Sequence, residues 1–302
     1  MREPNGGREP DRYGFIDVNR TRLRLWEWGD PDAPVIVAVH GAHDHGRMWD
    51  GLAPRLADDL GYRVVAPDLR GHGDSGRLSS GHVWMATTLD LGLLAREVGA
   101  GEPIRFVGHS FGAGLSMYTA GVWPSLVRWV VNLDGLGPPI DGDPSERDLT
   151  TDASRSFASA ERALLGDGRR YATREEMVER RAGVNVRLPR AWIEHLVDHG
   201  SIEDADGWRW KADPLFNVGF PGDWDVEGME AEHGLVECPL LVVTGAEPDT
   251  WSDLAPGELA IRLGHFRDAR HVEIPGAGHY VHVEAPDAVL EAIASFVDEV
   301  GR

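Results

Sequence analysis

From residue 35 onward the apolar positions come in continuous runs rather than in alternation. The runs are "VIVAV" (35–39), "YRVVAP" (62–67), "IRFVG" (104–108), "VRWVVNL" (127–133), "LLVVTG" (240–245) and "RHVEIPG" (270–276). Strands covered on both faces read this way, and the spacers between most of these runs are long enough for a helix, so the pattern predicts βαβ units around a mostly parallel sheet. Ahead of them, "YGFIDV" and "TRLRLWEW" alternate and are separated by Asn19-Arg20, which predicts an antiparallel hairpin. The chain closes on "APDAVLEAIASFVDEV", apolar at helical spacing, with Pro286 in its first turn and Asp287 complementing the helix N-terminus.

The strand pattern stops at "DGLGPPIDGDPSERD" (134–148) and resumes at "CPLLVVTG" (238–245). The stretch between is charged and mostly helical in pattern, with scattered aromatics (Phe157, Trp192, Trp208, Trp210, Phe216, Trp224). The expected organisation is an α/β core over 1–136 and 234–302, interrupted by a helical insertion over 137–233.

Composition narrows the partners. A formal net charge of −20 disfavours nucleic acid and anionic membrane, both of which require a positive surface. All basic residues but Lys211 are arginine, which reads as compositional bias. The lone Cys238 excludes an internal disulfide, and the polar N-terminus "MREPNGGREPDRYG" lacks the apolar core of a signal peptide. The expectation is a cytoplasmic protein acting on a small molecule, with neither membrane nor nucleic-acid partner.

The sharpest chemical signal is "RFVGHSFGAGLSMYTAG" (105–121). Gly108-His109-Ser110-Phe111-Gly112 fits G-x-S-x-G, and it lies where an apolar strand ends and a helix of small residues begins. A nucleophilic serine must sit on a strained turn there, with glycines where a Cβ would clash. The turn exposes Ser110 Oγ and aims the N–H of Phe111 at a developing oxyanion. A serine hydroxyl also needs a base, and the chain has 13 histidines. His279, in "IPGAGHYVHVEAPD", follows the last strand at the carboxyl edge of the sheet; His282 reads as a packing residue. For the carboxylate that orients the imidazole, Asp249 in "VVTGAEPDTW" is the leading choice, with Asp134 in "VVNLDG" and Glu247 as alternatives.

Together these residues resemble the α/β-hydrolase superfamily over nearly the whole chain. "PDLRGHGDSG" (67–76) is similar to the turn after its fourth strand, "GHSFG" to its nucleophile elbow and "GAGHY" to its histidine loop. The resemblance implies the α/β-hydrolase fold, a mostly parallel central sheet with helices on both faces and an inserted helical cap. It also implies that "HGAHDHGRMW" (40–49) is the oxyanion loop, with the N–H of Ala42 as second donor beside Phe111. The chain order serine, acid, histidine agrees with Asp249. Pro248, however, stands where many members place the acid, which keeps Asp134 open because a minority take it from the preceding strand.

The expected activity is a cofactor-free serine hydrolase of the carboxylesterase or lactonase kind, cleaving an ester or lactone of a small, largely apolar substrate. Trp49, His43, Trp251 and Tyr280 are the expected substrate contacts. The alternatives are C–C bond or amide hydrolysis by the same triad, or a small-molecule receptor of this fold. The histidines of 40–45 have the spacing H-x-x-H-D-H, one residue off a familiar dinuclear metal motif, and no metal site is expected there. His40 is expected to be buried and structural, and His43, Asp44 and His45 either solvated or at the pocket mouth.

Overall fold

A computed structural model describes residues 7–77, 83–137, 154, 158, 161–162, 165, 169–218, 226–249, 254–255 and 257–302. β1 (Arg12–Val18) and β2 (Thr21–Trp28) form the expected hairpin. Asn19 and Arg20 both take positive φ (42° and 58°), the pair of angles that matches a two-residue turn to the twist of its strands. The apolar runs become β3 (Val35–Val39), β4 (Arg63–Pro67), β5 (Ile104–His109), β6 (Val127–Leu133), β9 (Leu240–Gly245) and β10 (Ala269–Ile274). With the hairpin they make an eight-stranded sheet in the order β1-β2-β4-β3-β5-β6-β9-β10, parallel from β4 to β10.

The continuous runs reflect burial on both faces. In β3, Ile36 and Ala38 face α1 (Ala53–Asp58) and the C-terminal helix, while Val35, Val37 and Val39 face α2 (Val83–Gly99) and α3 (Phe111–Val122). Each buried Val, Leu or Ile in these layers contributes about 1.5–3 kcal/mol.

Between β6 and β9 the chain carries α4 (Arg174–Val184), α5 (Arg190–Gly200), the hairpin β7 (Ser201–Asp204) and β8 (Gly207–Trp210), and α6 (Val226–His233). Thr173 caps α4 by accepting the Glu176 N–H, and Glu176 accepts in return from Ala172 N–H. α4 and α5 bury Met177, Val178, Trp192, Ile193, Leu196 and Val197 in a separate apolar cluster, which also takes in Met48, Tyr280 and Val283 of the core. This cluster seats the inserted segment on the sheet's carboxyl edge. α7 (Glu258–Gly264), α8 (Val281–Glu284) and α9 (Pro286–Val300) complete the core, with α9 burying Val289, Leu290, Ile293, Phe296 and Val297 as its spacing predicts. Among the described residues, no helix is long and apolar enough to cross a membrane.

Candidate active site

Ser110 stands between β5 and α3 with φ 52° and ψ −121°, an unfavourable combination for a residue with a Cβ. The flanking glycines permit it. A Cβ at Gly108 would lie 2.6 Å from Ala113 Cα, and one at Gly112 would lie 2.3 Å from the Val39 carbonyl oxygen. The turn is held from the neighbouring strand, since Ser110 N–H donates to the Leu133 carbonyl at the end of β6 (3.0 Å).

His279 lies in the loop between β10 and α8, and its Nδ1–H donates to Asp134 Oδ2 at 2.7 Å. That bond fixes the tautomer and leaves Nε2 as the basic nitrogen. His279 and Asp134 are both nearly buried, which strengthens the interaction. The leading choice of acid from sequence, Asp249, is therefore corrected: the structure gives His279 the alternative, Asp134. Topology supplies the reason. β6 is the immediate neighbour of β5, so the residue after it emerges beside Ser110, and a positive φ (53°) at Asp134 turns the chain there. Asp249 follows β9, one strand further out, and its carboxylate lies beside Gly278. Glu247 is exposed.

Two residues that sequence reasoning passed over hold the histidine loop. His109 Nε2–H donates to the His279 carbonyl (3.0 Å), and burial pushes the His109 imidazole well below its ordinary pKa, so it stays neutral. Arg187, from the inserted segment, donates to the Gly276 carbonyl (2.7 Å) and to Glu284 (2.8 Å), while Glu284 also accepts from Gly278 N–H. A Cβ at Gly278 would collide with Arg187 Nε at 2.5 Å, so this approach requires glycine.

The loop 40–49 is built from its backbone. His40 is fully buried; its Nδ1–H donates to the Gly41 carbonyl (2.7 Å) and its Nε2 accepts from Leu69 N–H (2.9 Å). Burial lowers its pKa to about 4, so the neutral tautomer that makes both bonds persists. Asp68 of "PDLRGHGDSG" ties the same loop down, accepting from Gly46 N–H (2.7 Å), Trp26 Nε1 (3.0 Å) and Asp74 N–H (2.8 Å). Gly41 and Ala42 then line the cavity beside Ser110, and Phe111 begins α3, placing its N–H at the helix N-terminus.

The other polar residues of this loop divide. His43 is exposed and lines the cavity. Asp44 is buried and accepts from Arg181 Nη2 (2.6 Å) and from the Tyr280 hydroxyl (3.3 Å). Arg181 Nη2 also donates to Tyr280 (3.1 Å), while its Nε has no hydrogen-bond partner among the described residues. His45, equally buried, donates from Nε2 to the Leu196 carbonyl of α5 (3.1 Å). Asp44 and His45 are thus struts between core and insertion rather than solvated groups. A further cluster lies on that seam: donor atoms of Asp50, His195 and His199 fall within 4.8 Å of one another. Arg47 Nε and Nη2 contact the Asp50 carboxylate at 2.6–2.9 Å, and His195 Nε2 lies 3.0 Å from the Arg47 carbonyl, so a protein cation already occupies the acid.

These residues enclose a cavity of about 800 Å³ between the sheet's carboxyl edge and the inserted segment. Ser110, His279, His43 and Tyr280 line it, as does Trp210. Trp49 is no part of the lining, a correction to the expected contacts: it is fully buried, with its ring 4.9 Å from that of His282. Trp251, Phe157 and Trp224 lie outside the described residues. Trp192 packs inside the insertion, and Phe216 packs on Phe111 and His72. Beside the aromatics Tyr171, Trp210 and Tyr280, the described part of the cavity wall carries arginines, most of them from the insertion, that the sequence reading did not anticipate. The pairs "RR" at 169–170 and 180–181 were the available signal.

A model of the alpha/beta hydrolase family matches residues 36–292. The chain is 30% identical over 288 residues to a 3-hydroxybutyrate-oligomer hydrolase of Cupriavidus necator, covering 89% of this chain and 92% of that one. It is 27% identical over 320 residues to epoxide hydrolase A of Mycobacterium tuberculosis, covering 94% and 96%. Among solved structures, that of E-2-(acetamidomethylene)succinate hydrolase superposes with a TM-score of 0.76 at 26% identity, covering 95% of this chain and 99% of the other.

Proposed function

Because the chain belongs to the alpha/beta hydrolase family, we propose that it is a serine hydrolase that cleaves a carboxylic ester or lactone through an acyl-enzyme. Ser110 is its nucleophile, His279 its base and Asp134 the orienting acid. The observation that carries this reading is the His279–Asp134 hydrogen bond at 2.7 Å beside a serine held at φ 52°.

In this mechanism His279 Nε2 takes the proton from Ser110 Oγ as the oxygen attacks the acyl carbon. The tetrahedral oxygen gathers negative charge against the N–H groups of Ala42 and Phe111, where loss of one donor typically costs about 10²–10³ in rate. Collapse breaks the bond to the leaving oxygen, which receives the proton from His279. Water, deprotonated by the same nitrogen, then attacks the acyl carbon, frees the acid and returns Ser110 to its starting state. Asp134, hydrogen-bonded to Nδ1, stabilises the transient imidazolium. No cofactor is required for these steps. The insertion serves as a cap that limits water in the cavity. The relatives' names agree on hydrolysis and differ in what is hydrolysed, so they support the reaction class rather than a particular substrate.

A fluorophosphonate probe tests the nucleophile. Wild-type protein is expected to become labelled and to turn over p-nitrophenyl esters, whereas Ser110→Ala takes no label and loses about 10⁴-fold or more in kcat. Equal labelling of both proteins would remove Ser110 from the mechanism. Labelling without turnover of any acyl substrate would favour a receptor.

A further inference from the structure

The cavity is chemically unlike the rest of the molecule. Basic residues are 30 of 302 in the chain, yet among the described residues seven of the 22 around the cavity are arginines, against two aspartates, in a protein of net charge −20. Three of the seven have carboxylate partners: Arg170 and Arg209 share Asp204, and Arg181 is held by Asp44. The other four, Arg77, Arg162, Arg169 and Arg180, form no ion pair among the described residues. Arg77 donates to the Lys211 carbonyl, and the Arg169 guanidinium lies 5.2 Å from the Tyr171 ring centroid.

Local structure aims this group. Tyr171 pairs with Trp208 in an isolated bridge, which sets Arg169 and Arg170 beside Arg209 of β8. On α4, Arg181 falls four residues after Met177 and three after Val178, on the buried face, and Arg180 stands at its edge. Clustered like charges repel, weakly where water screens them, and an anion bound among them turns that repulsion into attraction. A guanidinium is weakly hydrated and matches the two oxygens of a carboxylate or phosphate in its planar fork. In an otherwise acidic protein such a patch also directs anions to one opening.

We infer that the substrate of this site is anionic, with a carboxylate or phosphate group that sits against Arg169, Arg180 and Arg181 while its acyl carbon reaches Ser110. The inference rests on the hydrolase reading for the bond that is cut, but not for the recognition of charge. It adds a charged group to the largely apolar substrate expected from sequence. Arg181 is the link between the two ends of the cavity, because its partner Asp44 belongs to the loop that carries Ala42.

Two matched substrate pairs test it and separate the sources of charge. p-Nitrophenyl hemiglutarate against p-nitrophenyl pentanoate places a carboxylate in the acyl part. Pentanoyl-coenzyme A against its N-acetylcysteamine thioester places phosphates in the leaving group. For at least one pair, kcat/KM is expected to favour the charged member by about tenfold or more, mainly through KM, as hydrogen bonds to charged groups allow. The preference should shrink as salt rises and collapse in Arg169→Gln/Arg180→Gln. In Arg267→Gln, which removes an exposed arginine outside the described cavity lining, it should persist. Equal or better turnover of the neutral member in both pairs overturns the inference, as does a preference that the double variant retains. Calorimetry of glutarate and of inorganic phosphate with Ser110→Ala reads recognition without catalysis. Binding there, with no turnover of any acyl substrate by wild type, leaves charge recognition standing and sinks the hydrolase reading; turnover without binding or charge preference does the reverse.

Discussion

The two walls of the cavity hold their side chains by different means. On the core wall, Ser110, Asp134 and His279 stand at the ends of strands or on short loops after them, each fixed by backbone bonds to neighbouring strands or by a buried histidine. On the inserted wall the groups proposed to meet the substrate are long arginines, several of them exposed, reaching in from a helix, a hairpin and the chain before it. A sheet edge gives sub-ångström placement, which bond-making requires. Long flexible cations tolerate variation in what they meet, which suits recognition of a charged group but not chemistry. Substitutions on the first wall should therefore act on kcat, and those on the second on KM.

The sharpest way to break this division is at the acid. Asp134→Asn keeps the shape of the wall but lets His279 settle in the wrong tautomer, and a loss of about 10⁴ in kcat with little change in KM is expected. Asp249→Asn, whose carboxylate lies beside Gly278 while Asp134 holds His279 Nδ1, should change kcat by less than about tenfold. Steady-state kinetics on one activated ester measures both. A large loss in the second and none in the first would return the acid to β9.

What could be read from sequence follows the same division. The strands, the elbow at Ser110 and the histidine loop were legible because each is a local pattern: a run of apolar residues, or a turn that only certain residues allow. The acid was harder. Asp134 and Asp249 both follow strands, and the choice depends on which strand adjoins β5, a long-range fact that no local spacing carries. The aromatics were ambiguous because burial and lining draw on the same residue types: Trp49 and Trp192 are core, while Tyr280 and Trp210 line the cavity. The arginines were hidden by abundance. Where nearly every basic residue is arginine, only tertiary placement shows that a subset converges.

Between the walls lies the Asp44–Arg181 pair, and removing one member should reveal how firmly the insertion is fixed. Arg181→Met leaves Asp44 buried without its cation, and a loss of about 3 kcal/mol is expected at neutral pH. Asp44→Asn/Arg181→Met, which removes both charges, should recover most of it. Urea unfolding of the two single variants and the double measures the coupling. If the single variants lose nothing, the insertion is held by its apolar cluster alone.

The smallest expected effect belongs to the core wall and sharpens the comparison from the side of stability. His282 is buried, stacked near Trp49 and His109, and neither ring nitrogen has a hydrogen-bond partner among the described residues. Burial lowers its pKa to about 3. The sign follows from where protons bind. Below the ordinary histidine pKa of about 6.5 the unfolded chain takes up a proton at this position and the native protein does not, so folding loses stability as pH falls from there toward 3. The limiting slope is about 1.4 kcal/mol per pH unit. His282→Leu abolishes that uptake. Its stability relative to wild type should be unchanged within about 1 kcal/mol at pH 7.5 and should rise steadily as pH drops from 6.5 to 5, measured as the difference in urea midpoints. Taking the difference between two proteins cancels the buried carboxyls Asp44, Asp50 and Asp68, whose burial raises their pKa and works in the opposite sense. A pH-independent difference would mean that His282 is protonated in the native wall, and the histidine stack behind Ser110 would then carry charge rather than packing.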